Sequence, residues 1–119
     1  MSEKTFKGRW RITESAVWDR AALDMIEPAY IVFAGKSGEF AMIAVRGYLD
    51  CRYHGDRVEF SWVGDDDGTQ ASGRGWAEIK GDDMNGMLFF HDGDETMFTA
   101  KKDAANKSTA LRRPKRNPW

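Results

Sequence analysis

Residues 57–80 read RVEFSWVGDDDGTQASGRGWAEIK and contain the clearest structural pattern in the chain. Two runs, 57–63 and 71–80, largely alternate apolar or small residues with polar ones, and Asp65-Asp66-Asp67-Gly68 lies between them. Alternation with a period of two is typical of a β-strand that buries one face. Aspartate and glycine tolerate the positive φ angles that tight hairpins require. The stretch therefore predicts two antiparallel strands joined by a turn.

Alternating runs separated by glycine- and aspartate-rich turns also occur on both sides of this hairpin. They predict further strands near 6–13, 29–34, 38–47, 48–54, 84–91 and 95–101. A single helix is expected over 16–26, between a candidate N-cap, Ser15, and Pro28. The residues at helical spacing are Trp18, Ala22, Met25 and Ile26. Regular short strands separated by turns argue for an antiparallel meander. We therefore expect a mainly β protein, with seven to eight strands in a closed or partly open barrel and one short helix after the first strand.

Charge divides the chain into two parts. The 119 residues hold 18 Lys and Arg against 19 Asp and Glu, but residues 1–100 hold 11 against 18 and residues 101–119 hold 7 against 1. We expect one barrel domain over 1–100. Residues 101–119 are expected to form a flexible basic tail that is partly disordered or forms a short helix before Pro114. One cysteine excludes an internal disulfide framework.

Some predicted strands are apolar on both faces. In 39–46, Phe40, Met42 and Ala44, with Arg46 on the same face, oppose Ala41, Ile43 and Val45. In 87–90, Met87 and Phe89 oppose Leu88 and Phe90, and in 30–33, Tyr30 and Val32 oppose Ile31 and Phe33. A sheet with one wet face would instead alternate cleanly. A second subunit is the simplest cover for the additional apolar face, so we expect a homodimer.

Two resemblances add to this interpretation. Phe6-x-Gly8-x-Trp10-x-Ile12, followed by Trp18-Asp19, resembles the first strand of the calycins, the lipocalins and fatty-acid-binding proteins. That resemblance implies a barrel and assigns no binding residue. The segments Glu59-Phe60-Ser61-Trp62, Ser72-Gly73-Arg74-Gly75-Trp76 and His91-x-Gly93-Asp94-x-x-x-Phe98 are similar to a group of short bacterial proteins whose function is unknown, which implies a bacterial source.

Catalytic and metal-binding patterns are weak. Cys51 and His54 have the spacing of zinc ligands, but residues three apart on a strand point to opposite faces, so no metal and no cofactor is predicted. Cys51 shares a face with Leu49 and Tyr53, as a small core residue does. An enzyme would have to use His91 as general acid or base with Asp50 or Asp94, and we expect no catalytic residue.

Charged and aromatic side chains that share strand faces are the better candidates for a site. The predicted ligand-binding residues are Arg46, Arg52, Trp62, Arg74, Trp76 and His91. A charge that faces apolar neighbours must be paired or lie close to water. One interpretation pairs Arg46 or Arg74 with Asp50, Glu59 or Glu78 across strands. The other is a pocket at a barrel mouth, where arginines orient an anionic group between tryptophan walls.

The sequence favours a non-enzymatic, calycin-like small barrel that binds a small organic ligand, with an anionic group among the candidates. The alternative is a homodimeric interaction protein whose basic tail contacts an anionic partner such as a nucleic acid or a protein. The acidic body weighs against a nucleic acid, because like charges repel. The N-terminus Met1-Ser2-Glu3-Lys4 is not apolar, and no apolar run approaches the ~20 residues of a membrane-spanning helix. A cytoplasmic location without membrane insertion is therefore expected.

Overall fold

Eight antiparallel strands close into a barrel in the computed structural model, which describes residues 2–103. The strands are β1 (Gly8–Ser15), β2 (Tyr30–Ala34), β3 (Ser37–Met42), β4 (Val45–His54), β5 (Arg57–Asp66), β6 (Thr69–Lys80), β7 (Asp83–Phe90) and β8 (Glu95–Lys102), with helices α1 (Ser2–Phe6) and α2 (Arg20–Leu23). Each strand pairs with the next, and β1 pairs with β8. The predicted mainly β barrel is confirmed. Within residues 2–103, neither helix is long and apolar enough to cross a membrane.

The hairpin between β5 and β6 forms as residues 57–80 predict. Asp67 and Gly68 occupy its two turn positions with φ of 53° and 93°. Two successive left-handed residues give the turn whose twist matches that of the flanking strands, and Asp-Gly is a preferred pair for it. Both strands extend closer to the turn than predicted, as far as Asp66 and Thr69.

The turn between β3 and β4 corrects the predicted strand boundaries. Strands expected at 38–47 and 48–54 are divided instead at Ile43 and Ala44. Ile43 has φ of 56°, a conformation that branched side chains rarely adopt. Its N–H donates to the carbonyl of Leu23, 2.8 Å away, so a contact distant in sequence supports the turn. Because the turn interrupts the alternation, Arg46 does not share a face with Phe40, contrary to the prediction.

The helices also differ from the predicted one. The helix expected over 16–26 is reduced to the four residues of α2, and its N-cap is Asp19, whose carboxylate accepts from Ala22 N–H at 2.9 Å. Ser15 Oγ instead accepts from the N–H groups of Val17 and Trp18, which holds that segment in a turn. Helix α1 was not predicted. A buried hydrogen bond of 2.9 Å from Trp10 Nε1 to the Phe6 carbonyl holds its last residue.

The segment between β1 and β2 is tied to the barrel by one carboxylate. The Arg11 guanidinium donates two hydrogen bonds to Asp24, at 2.9 and 3.0 Å, and Asp24 also accepts from Ala29 N–H. The hydrogen bonds from Arg11 hold the pKa of Asp24 below its ordinary value. Leu23, beside this carboxylate, is fully buried in the core and covers one end of the barrel.

Inward-facing side chains from all eight strands fill the barrel. They form one cluster that includes Trp10, Ile12, Ile31, Phe33, Phe40, Met42, Val45, Leu49, Cys51, Val58, Phe60, Trp62, Ala77, Met84, Leu88, Phe98 and Ala100. At one end, Phe6 of α1 packs against Phe33 and Tyr53, with ring centroids 5.5 and 5.8 Å apart. At the other end, the Trp18 and Phe90 rings meet at 5.8 Å. A barrel of this size can be filled by its own side chains. Here the Phe40, Phe60 and Phe98 rings occupy the space that Cβ atoms at the inward-facing Gly47, Gly75 and Gly86 would need.

The outer faces of the strands explain part of the double apolar pattern. Tyr30 points outward but is buried, because the Arg9 guanidinium lies 3.9 Å from its ring centre and its hydroxyl donates to Glu39 at 2.6 Å. Neighbouring polar side chains thus cover β2 without a second subunit. On β7, Met87 and Phe89 remain partly exposed. The expected homodimer stays a prediction.

Strand β8 extends one residue beyond the predicted end at residue 101. Lys101 and Lys102 complete β8, and Asp103 N–H donates to the Arg9 carbonyl at 3.1 Å. Residues 104–119 lie outside the described part of the chain, and so do the expected disorder and the helix before Pro114.

Candidate functional site

A groove crosses the outer face of β4 to β7 between two rows of outward side chains. One row consists of Arg52, Glu59 and Trp76, and the other of Asp50, Ser61, Arg74 and Phe89. Within each row, adjacent residues are directly opposite on neighbouring strands. The residue between the rows points inward on each strand, because side chains alternate. This cross-strand groove encloses about 390 Å³.

The floor of the cross-strand groove depends on a glycine. Phe60 and Gly75 are paired between the rows, and both line the groove. A Cβ atom at Gly75 would lie 2.5 Å from Phe60 Cζ and 2.7 Å from the Met87 carbonyl oxygen. Glycine thus lets the Phe60 ring pack directly beneath β6, where any other residue would force the strands to shift.

Four charged side chains border the groove, two of each sign. Asp50, Arg52, Glu59 and Arg74 form no ion pair with any of residues 2–103. Glu78, one predicted partner for Arg46 or Arg74, instead pairs with Arg57 at 2.9 Å. The four groove charges sum to zero and keep hydrogen-bonding capacity for a ligand.

Aromatic rings complete the walls on the β6 and β7 side. The Arg74 guanidinium lies 5.4 Å from the centre of the Phe89 ring, and Arg57 lies 4.1 Å from the centre of the Trp76 ring. Attraction between a cation and a ring holds such side chains together at a surface. Since Glu78 also binds Arg57, the Trp76 ring is supported from one side.

The structure brings together three of the six predicted site residues. Arg52, Arg74 and Trp76 border the cross-strand groove, which lies on the outer wall and not at a barrel mouth as expected. Arg46 lies away from it and pairs with Glu27 at 2.7 Å. Trp62 is 2% exposed and belongs to the core. His91 follows β7 in an exposed turn.

Four residues of the two outward rows were not among the predicted ones. They are Asp50, Glu59, Ser61 and Phe89. Alternation already placed Asp50 on the same face as Arg52, and Phe89 on the same face as Met87. The missing information was the register, which sets Ser61 opposite Arg74 and Arg74 opposite Phe89. A shift by one residue would turn either strand over.

The residues considered for catalysis and metal binding are dispersed. Cys51 is buried while His54 is exposed, as expected for strand residues three apart. His91 Nε2 lies 3.4 Å from Asp92, and both side chains are largely exposed to water. Among residues 2–103, no three His, Cys, Asp or Glu side chains are grouped so that they could hold a metal ion.

Burial makes Cys51 a source of pH dependence. It raises the pKa of the thiol from 9.0 to about 12, with a further contribution from the Asp50 carboxylate. Above pH 9 the unfolded chain loses this proton while the folded chain keeps it, so stability falls as pH rises. Between pH 8 and 10 we expect the free energy of unfolding to fall by about 1.4 kcal/mol more in the native chain than in Cys51→Ala. Urea titrations at both pH values measure the difference. Equal losses in the two proteins would contradict the assignment.

The fold and the groove define the chain as a closed, filled, eight-stranded antiparallel barrel that carries a groove of mixed charge on its outer wall. Comparison of the chain with models of protein families, with curated proteins and with solved structures gave no match. The calycin resemblance stays a prediction.

Proposed function

We propose that this chain is a non-enzymatic binding protein whose ligand, a small organic molecule, occupies the cross-strand groove. The observation that carries the proposal is that Arg52 and Arg74 form no ion pair with any of residues 2–103, yet border a groove beside Trp76 and Phe89. Arginine presents a planar fork of donors that suits carboxylates and stacks on rings. The packed core argues that the ligand lies outside the barrel, unlike a ligand held in a calycin interior.

The size and lining of the groove suit a small molecule. Its volume of about 390 Å³ lies within the range of about 300–1,000 Å³ that ligand sites occupy. Aromatic side chains supply contact area, while a few placed polar groups fix orientation. His91 and Cys51 lie outside the groove lining, and Ser61 in the lining has no histidine beside it there. A binding role is therefore better supported than an enzymatic one.

Arg74→Ala should weaken the binding of ligands to the groove without unfolding the barrel. We expect neutral, anionic and cationic aromatic fragments, titrated into the ¹⁵N-labelled full chain, to shift amide resonances of 50–52, 59–61, 74–76 and Phe89. Arg74→Ala should lower the affinity of the fragments that bind by about 5- to 30-fold, as expected for loss of a charged hydrogen bond. It should change the free energy of unfolding by no more than about 0.5 kcal/mol. Arg20→Ala, an exposed arginine on α2, is the matched control. Shifts confined to other surfaces, or equal affinities in Arg74→Ala, would overturn the proposal.

A second candidate function is pairing with another copy of the chain. Val63 and Met97 point outward from β5 and β8 and are 60% and 52% exposed, and Tyr48 lies directly opposite Val63. Exposed apolar residues that surround charges of both signs suit a two-fold interface, in which each arginine meets an acid of the other copy. The acidic body elsewhere would repel a second copy.

Val63→Glu should separate such a dimer. We expect sedimentation of the full chain at tens of micromolar to give twice the mass of one chain, and Val63→Glu to give one. Met25→Glu, at a residue that is 59% exposed beside α2, should leave the dimer intact because it lies away from this face. A single-chain mass for the native protein across this concentration range would eliminate the dimer.

A further inference from the structure

The charges of the cross-strand groove point to one class of ligand. We propose that the groove binds an aromatic zwitterion of the amino-acid type, a molecule with one ring, one ammonium and one carboxylate. This inference rests on the proposed function and names the ligand class that the sequence left open. It adds an ammonium group to the anionic group that the sequence analysis considered for the small organic ligand.

The groove contains two positive and two negative side chains, and this balance favours a ligand with both charges. Arg52 and Arg74 each offer donors to a carboxylate, while Asp50 and Glu59 each offer acceptors to an ammonium, and none of the four forms an ion pair with another of residues 2–103. A purely anionic ligand would lie beside two carboxylates, and a purely cationic one beside two guanidinium groups. Like charges brought together at a binding site oppose association. Only a ligand with both signs gives each pair of side chains an opposite charge.

The order of the strands carries the second step. Three charged residues, Asp50, Arg52 and Glu59, lie on β4 and β5, whereas the aromatic residues Trp76 and Phe89 lie on β6 and β7. A ligand along the groove therefore meets charges at one end and rings at the other. Arg74 lies on β6 opposite Ser61, between the two ends. This polarity fits a molecule whose charged head and ring are joined by a short linker.

Three compounds that share a ring and linker test the proposal. They are phenylalanine, 3-phenylpropionate, which lacks the ammonium, and phenethylamine, which lacks the carboxylate. We expect phenylalanine to bind the full chain about 3- to 10-fold more tightly than either, the value of one half-exposed charge contact. Titration of the ¹⁵N-labelled chain gives both the affinity and the location. If 3-phenylpropionate binds as tightly as phenylalanine, or if none of the three compounds binds, the zwitterion proposal is wrong.

A variant without the groove acids supplies the second readout. In Asp50→Asn with Glu59→Gln, we expect 3-phenylpropionate to bind more tightly than phenylalanine, because the repulsion of its carboxylate is gone and the ammonium has lost its partners. Asp56→Asn, in an exposed turn, should keep the native preference. An unchanged preference in the double variant would overturn the role of the acids. If the zwitterion proposal fails, the wider fragment titration and the Arg74→Ala variant still test whether the groove binds any small molecule.

Discussion

Gly73→Ala is expected to destabilise the barrel by about 3 kcal/mol, at the upper end of the usual cost of overpacking. Gly73 lies on β6 opposite Trp62 of β5 and Phe90 of β7. A Cβ atom there would overlap the Phe89 carbonyl oxygen and lie 2.8 Å from Trp62 Nε1. The indole has no room to retreat, because its other side packs against Gly47, where an added Cβ would lie 2.7 Å from Trp62 Cε3. Strands β6 and β7 would therefore have to move apart.

Urea unfolding followed by circular dichroism measures this cost. The matched control is Gly93→Ala, in the turn after β7, where φ is not positive and the nearest heavy atom to an added Cβ is Phe90 Cβ at 3.3 Å. We expect that control to change stability by less than about 1 kcal/mol. Similar midpoints for Gly73→Ala and the native chain would show that β6 and β7 are not packed as closely as described.

The parts of the fold that local chemistry specifies were predictable from the sequence. Alternation gave the strands, and glycine with aspartate gave the turns at Gly55-Asp56, Asp67-Gly68 and Gly81-Asp82. The turn at Ile43 was not predictable, because neither Ile43 nor Ala44 favours a turn and its support comes from Leu23. Helix α1 likewise depends on the packing of Phe6 against Phe33 and Tyr53, which are distant in sequence. Tertiary contacts, which single-sequence patterns do not contain, set both features.

Three of the six predicted site residues border the groove, and the others were misplaced for a related reason. A pattern of period two groups side chains by face, and it put Arg52 with Asp50 and Arg74 with Trp76, but it does not say which face points outward. It could not say that the outer face, and not a barrel mouth, would hold the groove, since that depends on how the interior is filled. Arg46 was assigned to the wrong face because the β3–β4 turn was missed. His91 was assigned to a strand that ends one residue earlier.

Trp62→Ala and Trp76→Ala are expected to separate folding from binding. Trp62 packs inside the barrel between Phe40 and Phe90, with ring centroids 5.0 and 5.4 Å away. Its removal should cost about 3–5 kcal/mol of unfolding free energy, the usual loss for a buried Trp cut to Ala. Trp62 Nε1 has no hydrogen-bond acceptor among residues 2–103, so this loss is one of packing alone.

Trp76 lies on the next strand but faces the opposite way, where it borders the groove and contacts Arg57. Its replacement by alanine should cost about 2 kcal/mol of stability, less than the loss of Trp62, because Trp76 lies on the outer face and is already partly exposed. The same change should weaken aromatic ligands by about 10-fold or more, since ring contacts and the Arg57 cation–π pair are lost together. Urea unfolding and fragment titration on both variants give four values. The assignment of one tryptophan to the core and the other to the groove fails if Trp76→Ala unfolds the chain as readily as Trp62→Ala, or if it leaves ligand affinity unchanged.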